Sequence, residues 1–175
     1  MRFHVRRIAA LLVAVLFFCA SEAGAAGSLE YAVKATYLLK FTRFVSWPQA
    51  AMAGESFNIC ILGTDPFGST LDQVVAGEDV GGRKITVQRM EREPAPGACQ
   101  LLYIGEHQER PRYTSEAGRA VLTVGEGPDF ARNGGMIGFV IENRRVTFDI
   151  NWRAAEASGL KLSSGLLTVA KTVIR

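Results

Sequence analysis

Apolar side chains recur at helical spacing from residue 29 to residue 44, and Trp47-Pro48 ends this segment. Proline cannot continue a helix and restricts the residue before it. We therefore predict a helix over 29–44, with Ser28 as its N-cap. Its apolar surface exceeds the ~100° stripe that a helix on a sheet needs, which indicates either deep burial or a second contact with a partner. The aromatic residues of its second apolar face are Tyr37, Phe41 and Phe44.

Four apolar or alternating segments follow, and each predicts a strand bounded by glycine, proline or polar residues. These strands are predicted at 57–62, 84–89, 99–104 and 120–124. After the first of them, Asp65 and Pro66 predict the N-cap and first turn of a helix that reaches Val75. A helix is also predicted over 112–118, and one helical turn over 129–133. Because strands and helices alternate up to residue 124, we expect parallel βα units with right-handed crossovers.

The pattern changes after this point. Segments 136–142 and 145–151 are separated only by Asn143-Arg144, which predicts a β-hairpin. A short helix over 152–158 is predicted to end at Gly159.

An amphipathic helix is predicted over 163–174, with Leu166, Leu167 and Ala170 on its apolar face. The fold predicted is a single α/β domain. It has a mostly parallel, Rossmann-like sheet with flanking helices, then a C-terminal antiparallel hairpin and the amphipathic helix.

Residues 1–26 have the three parts of a secretory signal peptide. Three arginines precede an uninterrupted apolar run over 8–18, and small residues follow at 23–26. We expect cleavage after Ala25 or Ala26, which leaves a domain at 27–175 in the periplasm. An uncleaved anchor is one alternative, although the run is shorter than the ~20 residues that span a bilayer. A lipoprotein signal at Cys19 is another, although Phe18 stands where a small residue is preferred.

Removal of that segment changes the charge of the chain. The 175 residues include 20 basic and 17 acidic ones, of which three basic and one acidic lie in the first 26. The remaining 17 basic and 16 acidic groups give a net charge of +1. No basic surface therefore argues for nucleic-acid binding. Hydrophobic content of 48% and charged content of 21% are those of an ordinary globular domain.

Export also determines what the cysteines can do. Cys60 and Cys99 are the two cysteines of the expected mature chain, and the compartment is oxidising. A disulfide between them would close a loop of about 40 residues, which the chain-entropy model values at about 4 kcal/mol. The alternative is a pair of buried free thiols.

The sequence offers little for catalysis. The expected mature chain has one histidine, His107, in a polar stretch typical of a solvated side chain, and no Gly-x-Ser-x-Gly elbow accompanies it. Gly125-Glu126-Gly127 resembles half of a dinucleotide-binding fingerprint. However, Glu126 would repel a pyrophosphate, and Phe130 stands at the third glycine position.

The carboxylates of Asp129, Glu142 and Asp149 cannot be placed in one cleft from the sequence, and Asp149 is expected to face water or to pair with an arginine. A zinc cluster needs four Cys or His ligands in close pairs, and the chain has none. We therefore predict a protein that is not an enzyme, needs no metal or cofactor, and acts through its surface.

Several motifs, in the same order along the chain, resemble the YfiR family. They are Glu30-Tyr31-Ala32-Val33-Lys34-Ala35 with Leu38, Phe41, Phe44 and Trp47-Pro48; Asn58-Ile59-Cys60-Ile61-Leu62-Gly63 with Asp65-Pro66-Phe67-Gly68; Cys99; Val121-Leu122-Thr123-Val124 with Phe130, Gly134-Gly135 and Ile137; Arg145-Val146-Thr147-Phe148-Asp149-Ile150-Asn151; and Gly159-Leu160-Lys161-Leu162-Ser163-Ser164. They cover nearly all of residues 29–174. Gly165 departs from the basic residue that members often have after the two serines, and the second cysteine pair of some members is absent.

The resemblance implies a periplasmic protein that represses an inner-membrane diguanylate cyclase by binding the periplasmic region of that cyclase. Repression lowers cyclic-di-GMP and biofilm formation. The resemblance also implies that an outer-membrane lipoprotein sequesters the repressor, and that the redox state of the cysteine pair bears on its integrity. A homodimer is left open.

We expect the partner to bind the apolar face of the last helix, at Leu166, Leu167 and Ala170, and secondarily the aromatic side of the first helix, at Tyr37, Phe41 and Phe44. One alternative is a periplasmic small-ligand sensor, which would use the carboxyl ends of the strands near residues 63–65, 105 and 125–127. Another is an accessory protein of a sensor kinase.

Overall fold

A computed structural model describes residues 21–105 and 120–175, and for residues 21–28 it describes the backbone alone. His107 and the helix predicted over 112–118 lie outside the described residues. The helices are α1 (Ser21–Phe44), α2 (Ser69–Val75), α3 (Asp129–Arg132), α4 (Trp152–Ala157) and α5 (Ser164–Val169), with a 3-10 turn at Gln49–Met52. The strands are β1 (Val45–Ser46), β2 (Ser56–Leu62), β3 (Asp79–Val80), β4 (Arg83–Met90), β5 (Leu101–Ile104), β6 (Leu122–Glu126), β7 (Ile137–Glu142), β8 (Arg145–Asn151), β9 (Lys161–Leu162) and β10 (Thr172–Ile174).

Within the described residues, eight strands form one mixed sheet in the order β10-β8-β7-β6-β5-β2-β4-β3. Its centre is parallel from β4 across β2, β5 and β6 to β7, and β10 is parallel to β8. The pairs β3–β4 and β7–β8 are antiparallel. This arrangement confirms the predicted α/β fold with a parallel centre and a late hairpin.

The two faces of the sheet bury separate clusters, because successive residues of a strand point to opposite faces. Phe57, Ile59 and Ile61 of β2 pack in the larger cluster with α1, α2, α4 and α5. Cys60 and Leu62 of the same strand lie in a smaller cluster on the opposite face, which α3 covers. The surface of interest below lies on the α1 side.

Helix α1 ends at Phe44, as predicted, but Ser28 is not its N-cap. The helix spans Ser21–Phe44 and therefore passes through residue 28. The breadth of its apolar surface is explained in part by burial, since Ala35, Leu38 and Phe41 are fully buried.

Asp65 does not cap a helix either. Its Oδ1 accepts hydrogen bonds from the backbone N–H groups of Phe67 (2.8 Å) and Gly68 (3.3 Å), which forms a turn ahead of α2. Helix α2 begins only at Ser69, because Gly68 has φ 51° and ψ −137°, outside the helical region. The Nε of Arg89 donates to Asp65 Oδ2 at 2.6 Å and ties this turn to β4.

The prediction of one helix over 163–174 is wrong. Helix α5 ends at Val169, Ala170 is extended at φ −68° and ψ 144°, and β10 then pairs with residues 149–151 of β8. The three residues of β10 are β-branched, which favours a strand. They also cover an edge of β8 that would otherwise present unpaired backbone groups.

The remaining predicted elements are confirmed with small changes of boundary. The hairpin β7–β8, the short helix α4 and the turn α3 lie where the pattern placed them. Gly159 ends α4 with φ 82°, a conformation that glycine adopts without steric cost. Strand β6 lies two residues later than predicted.

Candidate protein-interaction surface

Five large apolar side chains are exposed among the described residues, and all five line two neighbouring grooves beside α1. They are Leu29, Val33, Phe44, Ile141 and Val169. Single exposed apolar residues are ordinary, whereas their concentration on one face is typical of an interaction surface.

The first groove, called here the α1–α5 groove, has a volume of about 450 Å³. It is lined by Tyr37, Lys40, Phe41 and Phe44 of α1, Phe148 of β8, and Gly165, Leu166 and Val169 of α5. Phe44 is 44% exposed and Val169 is 64% exposed, so both walls offer apolar area to a partner.

The floor of this groove is a packed aromatic cluster. The ring centroid of Phe41 lies 5.1 Å from that of Phe148 and 5.9 Å from that of Phe139, and these three rings are buried. The ring of Tyr37 lies 5.4 Å from Phe148 in an edge-to-face arrangement. Such contacts stabilise fixed ring positions, so the floor is preorganised for binding.

A short antiparallel ladder holds the two walls together. Val45 pairs with Leu162 and Ser46 with Lys161, directly after α1 and directly before α5. The backbone N–H of Ser163 donates to the carbonyl of Phe44 at 2.9 Å. The Ser163 hydroxyl then accepts from the N–H of Leu166 at 3.2 Å and so caps α5. The width of the groove is therefore set by backbone hydrogen bonds.

The predicted partner-binding residues lie in different environments. Leu166 and Phe41 are buried in the core, at 3% and 0% exposure. Leu167 and Ala170 are half-buried against the same core, while Tyr37 and Phe44 face the groove. The two faces that were predicted separately thus meet in one groove.

The predicted partner-binding set did not include three further lining residues, Lys40, Phe148 and Val169. Lys40 is a polar residue of α1, Val169 is an exposed residue of α5, and Phe148 lies on β8, more than 100 positions after α1. Gly165, at which this chain departs from the family motif, is exposed at the groove beside Phe44. A basic residue there would change the chemistry of the groove mouth.

The second groove, called here the hairpin groove, lies between the beginning of α1 and the hairpin β7–β8. It has a volume of about 530 Å³ and is lined by Leu29, Glu30, Val33, Ile141, Arg144, Arg145 and Val146. Val33 of this groove and Tyr37 of the first are one turn apart on α1. Val146 and Phe148 likewise alternate on one face of β8. The two grooves therefore follow one another along the same helix.

Comparison with known families bears on this surface. The sequence model of the YfiR/HmsC-like family matches residues 31–171, most of the chain. The chain belongs to the YfiR/HmsC-like family. Its members are regulatory proteins of the periplasm rather than enzymes, and they interact with a partner protein. The matched segment includes all of α5 and most of the residues that line both grooves.

The disulfide expected in this YfiR/HmsC-like protein is present. Cys60 and Cys99 are bonded, their Cα atoms are 5.9 Å apart, and both are buried. The bond joins the middle of β2 to the chain just before β5, on the face away from the grooves. Gln100 follows Cys99 in the chain, and its backbone carbonyl accepts a hydrogen bond from Trp47 Nε1 at 3.0 Å. The bridge therefore stabilises the sheet without entering the candidate surface.

A buried cation lies beneath the hairpin groove. The ammonium of Lys34 donates to Glu30 Oε1 at 2.5 Å and to Glu126 Oε2 at 2.7 Å, and only 2% of its side chain is exposed. The hydroxyl of Tyr103 donates to the other oxygen of Glu126 at 2.6 Å. Sequence reasoning missed this cluster. The available signal was a lysine within the apolar stripe of α1, between Tyr31 and Leu38 at helical spacing.

Burial and pairing act in opposite directions on Lys34. Burial disfavours the charged ammonium and lowers its pKa, whereas the hydrogen bonds and charges of Glu126 and Glu30 raise it. The net result is a Lys34 pKa above its usual value, so the residue is a cation at all physiological pH values. It anchors α1 to the carboxyl end of β6.

Asp149 neither faces water nor pairs with an arginine among the described residues. It is 4% exposed, and its Oδ1 has no hydrogen-bond partner there. The expectation was wrong because alternation along the strand assigned Asp149 to a solvent-facing side of β8, whereas Phe148, Asp149 and Ile150 are all buried. Strand β10 places Thr172 opposite Asp149, with Gly138 of β7 on the other side.

The glycine segment that resembles a nucleotide fingerprint is filled by protein. A Cβ atom at Gly125 or at Gly135 would overlap the ring of Phe130, which is buried between them. Glu126 is already engaged by Lys34 and Tyr103. Within the described residues, segment 125–127 therefore offers no open cradle for a phosphate, which weakens the small-ligand alternative at that position.

Gly125→Ala is expected to lower the free energy of unfolding by roughly 1–3 kcal/mol, because the added methyl group must displace the Phe130 ring from a packed site. Thermal denaturation would measure this. Gly54→Ala is the matched control, since its methyl group would meet only the Ser56 carbonyl oxygen at 3.6 Å. Equal midpoints for the two variants would show that the space beside Gly125 is open.

No helix within residues 21–105 and 120–175 is long and apolar enough to span a membrane. No group of three or more histidine, cysteine or carboxylate side chains there could hold a metal ion.

Proposed function

We propose that this protein is a periplasmic repressor of an inner-membrane diguanylate cyclase, and that the α1–α5 groove binds the periplasmic region of the cyclase. The observation that supports this most is the meeting of exposed Phe44 and Val169 over a rigid aromatic floor. Membership in a periplasmic regulatory family supports it as well. Binding keeps the cyclase inactive and lowers cyclic-di-GMP and biofilm formation. An outer-membrane lipoprotein that sequesters the repressor relieves this inhibition.

The proposal includes export. We propose that residues 1–26 are removed after Ala25 or Ala26, which leaves the domain 27–175 in the periplasm. The new N-terminus then lies within a few residues of Leu29, at the start of the hairpin groove. The buried disulfide is in accord with an oxidising compartment.

The energetics of the groove favour an apolar contact. Full burial of an aliphatic or aromatic side chain contributes about 1.5–3 kcal/mol, and Phe44 and Val169 each retain area to bury. The floor loses little conformational entropy on binding, because its rings are already packed. Central apolar side chains of this kind carry most of the affinity in measured interfaces.

Val169→Asp is expected to weaken binding of the cyclase by at least about tenfold, because a carboxylate replaces apolar area at the contact. Thr168→Asp is the matched control. It places the same charge on the same turn of α5, at an exposed residue that does not line the groove. The measurement is cellular cyclic-di-GMP in a deletion strain that carries each variant at equal protein level.

We expect deletion to raise cellular cyclic-di-GMP. Wild type and Thr168→Asp should return it to the lower level, whereas Val169→Asp should not. Unchanged cyclic-di-GMP on deletion would refute repression of a cyclase. Full restoration by Val169→Asp would refute the α1–α5 groove as the binding surface.

A further inference from the structure

The hairpin groove combines apolar walls with two uncompensated cations. Leu29, Val33 and Ile141 are exposed, at 68%, 38% and 48%. Arg144 and Arg145 are exposed beside them, and neither guanidinium takes part in an ion pair or hydrogen bond within the described part of the chain.

The acidic groups around this groove are already engaged. Glu30 accepts from Lys34 at 2.5 Å, and Glu142, at the start of the hairpin turn, accepts from Lys171 at 2.8 Å. The groove therefore presents a net positive rim. An acidic segment of a partner molecule would complement this rim.

The backbone at Arg144 gives an independent indication. Asn143 and Arg144 form the hairpin turn with φ 50° and 59°, as a type I′ turn requires. Glycine is strongly preferred at the second position of such a turn, because a side chain there is strained. A strained position occupied by a long cationic side chain that forms no ion pair or hydrogen bond within the described residues points to a role in binding.

We infer that the hairpin groove is a second docking site, and that it takes an acidic amphipathic helix of the repressed cyclase. The apolar face of that helix would pack on Leu29, Val33 and Ile141, and its carboxylates would face Arg144 and Arg145. This inference rests on the proposed function, since the partner is the same protein that fills the α1–α5 groove. It adds that the bound segment of the partner is a helix with one apolar face and one negatively charged face.

The geometry favours a helix. The two grooves follow α1 from Leu29 to Phe44, a distance of about 22 Å at 1.5 Å per residue. Two apolar grooves in succession along one helix suit the helix-in-groove mode of recognition. An anionic membrane could also attract arginines. However, the apolar residues here line a concavity rather than project from the surface, which favours a protein segment.

Three variants test the inference. Arg144→Gly removes one cation and relieves the strained turn. Arg144→Glu with Arg145→Glu reverses the rim charge. Arg132→Glu with Arg153→Glu makes the same change in net charge at two exposed arginines that line neither groove, and serves as the control. The probe is the purified periplasmic region of the cyclase that the deletion strain shows to be repressed, titrated at low and high salt.

We expect Arg144→Gly to retain or raise the thermal midpoint, by up to about 2–4 °C, and yet to weaken binding. The double reversal is expected to weaken binding by about tenfold or more at low salt and to reduce its salt dependence, because rim charges act through screened attraction. The control pair is expected to bind within about twofold of wild type, as charges outside an interface contribute little.

Several results would overturn the inference. In the first, Arg144→Glu with Arg145→Glu binds the cyclase with wild-type affinity, whereas Val169→Asp loses binding. This result would refute the second docking site and leave the proposed function intact. Another is a double reversal that binds the cyclase normally but no longer sediments with phosphatidylglycerol vesicles, which assigns the groove to a membrane. A cyclase that wild type neither binds nor represses removes the proposed function and this inference together.

Discussion

Replacing Cys60 by serine is expected to lower the free energy of unfolding by about 4 kcal/mol, or the thermal midpoint by roughly 10 °C. The two cysteines are 39 positions apart, so the bond removes much of the freedom of the unfolded chain. Both sulfurs are buried in the smaller cluster, so the serine hydroxyl adds a desolvation cost. Thermal denaturation with and without reductant measures the effect.

The variant with both Cys60→Ala and Cys99→Ala separates these causes, because it removes the cross-link without burying a hydroxyl or a lone thiol. It should match reduced wild type. If neither reductant nor the double variant moves the midpoint, the cross-link does not stabilise the fold. In cells we expect Cys60→Ser to fail to complement with low protein level. Failure at normal protein level would instead assign the bond a regulatory role.

Lys34→Met is expected to lower the free energy of unfolding by about 3 kcal/mol, because removal of one partner of a buried ion pair leaves the other uncompensated. Glu126 is the group left behind, with 16% of its side chain exposed and one hydrogen bond from Tyr103 remaining. Methionine matches the aliphatic part of the lysine side chain in length, so the packing of α1 is largely kept. Urea denaturation at neutral pH measures the loss.

Adding Glu126→Gln to Lys34→Met provides the control. The double variant should recover part of the stability, since the orphaned carboxylate is gone, and the double-mutant cycle gives the coupling. Strictly additive losses would show that the two residues do not interact energetically in the folded protein.

The pH dependence of the same pair has a definite sign. Burial lowers the pKa of Lys34, but the hydrogen bonds that its ammonium donates to Glu126 and Glu30, together with their charges, outweigh burial and leave the folded-state pKa above its ordinary value. Its contribution to stability is therefore fully present below about pH 10 and is lost as the pH rises through the folded-state pKa. The difference in unfolding free energy between wild type and Lys34→Met should be constant at neutral pH and shrink only in alkali. A difference that shrinks between pH 6 and pH 8 would contradict this.

The elements that could be predicted are those whose signal is local. Helix α1, strands β2 and β4 and the hairpin each show their periodicity within a window of a few to sixteen residues. The end of α1 follows from Trp47-Pro48, and the end of α4 from Gly159, each from one or two residues.

Predictions failed where two local conformations fit the same pattern. Residues 163–174 suit an amphipathic helix by spacing, yet three β-branched residues at their end pair with β8. The conformation of these residues is decided by the free energy gained when they pair with the open edge of β8. The local sequence near residue 172 does not show that this edge is available. The expectation for Asp149 failed for a separate reason, because alternation implies one solvent-facing side of β8, whereas Phe148, Asp149 and Ile150 are all buried.

The sequence by itself determined the α/β class, the cysteines that pair, the family, and the residue types of the candidate surface. Only the tertiary structure decided that Tyr37 and Phe44 meet Val169 across one groove, that Leu166 and Phe41 belong to the core, and that Lys34 reaches Glu126 across 92 positions. Periodicity reports on neighbours along one element, since it arises from the geometry of a single helix or strand. Which remote segment packs against that element depends on the free energy of the whole sheet.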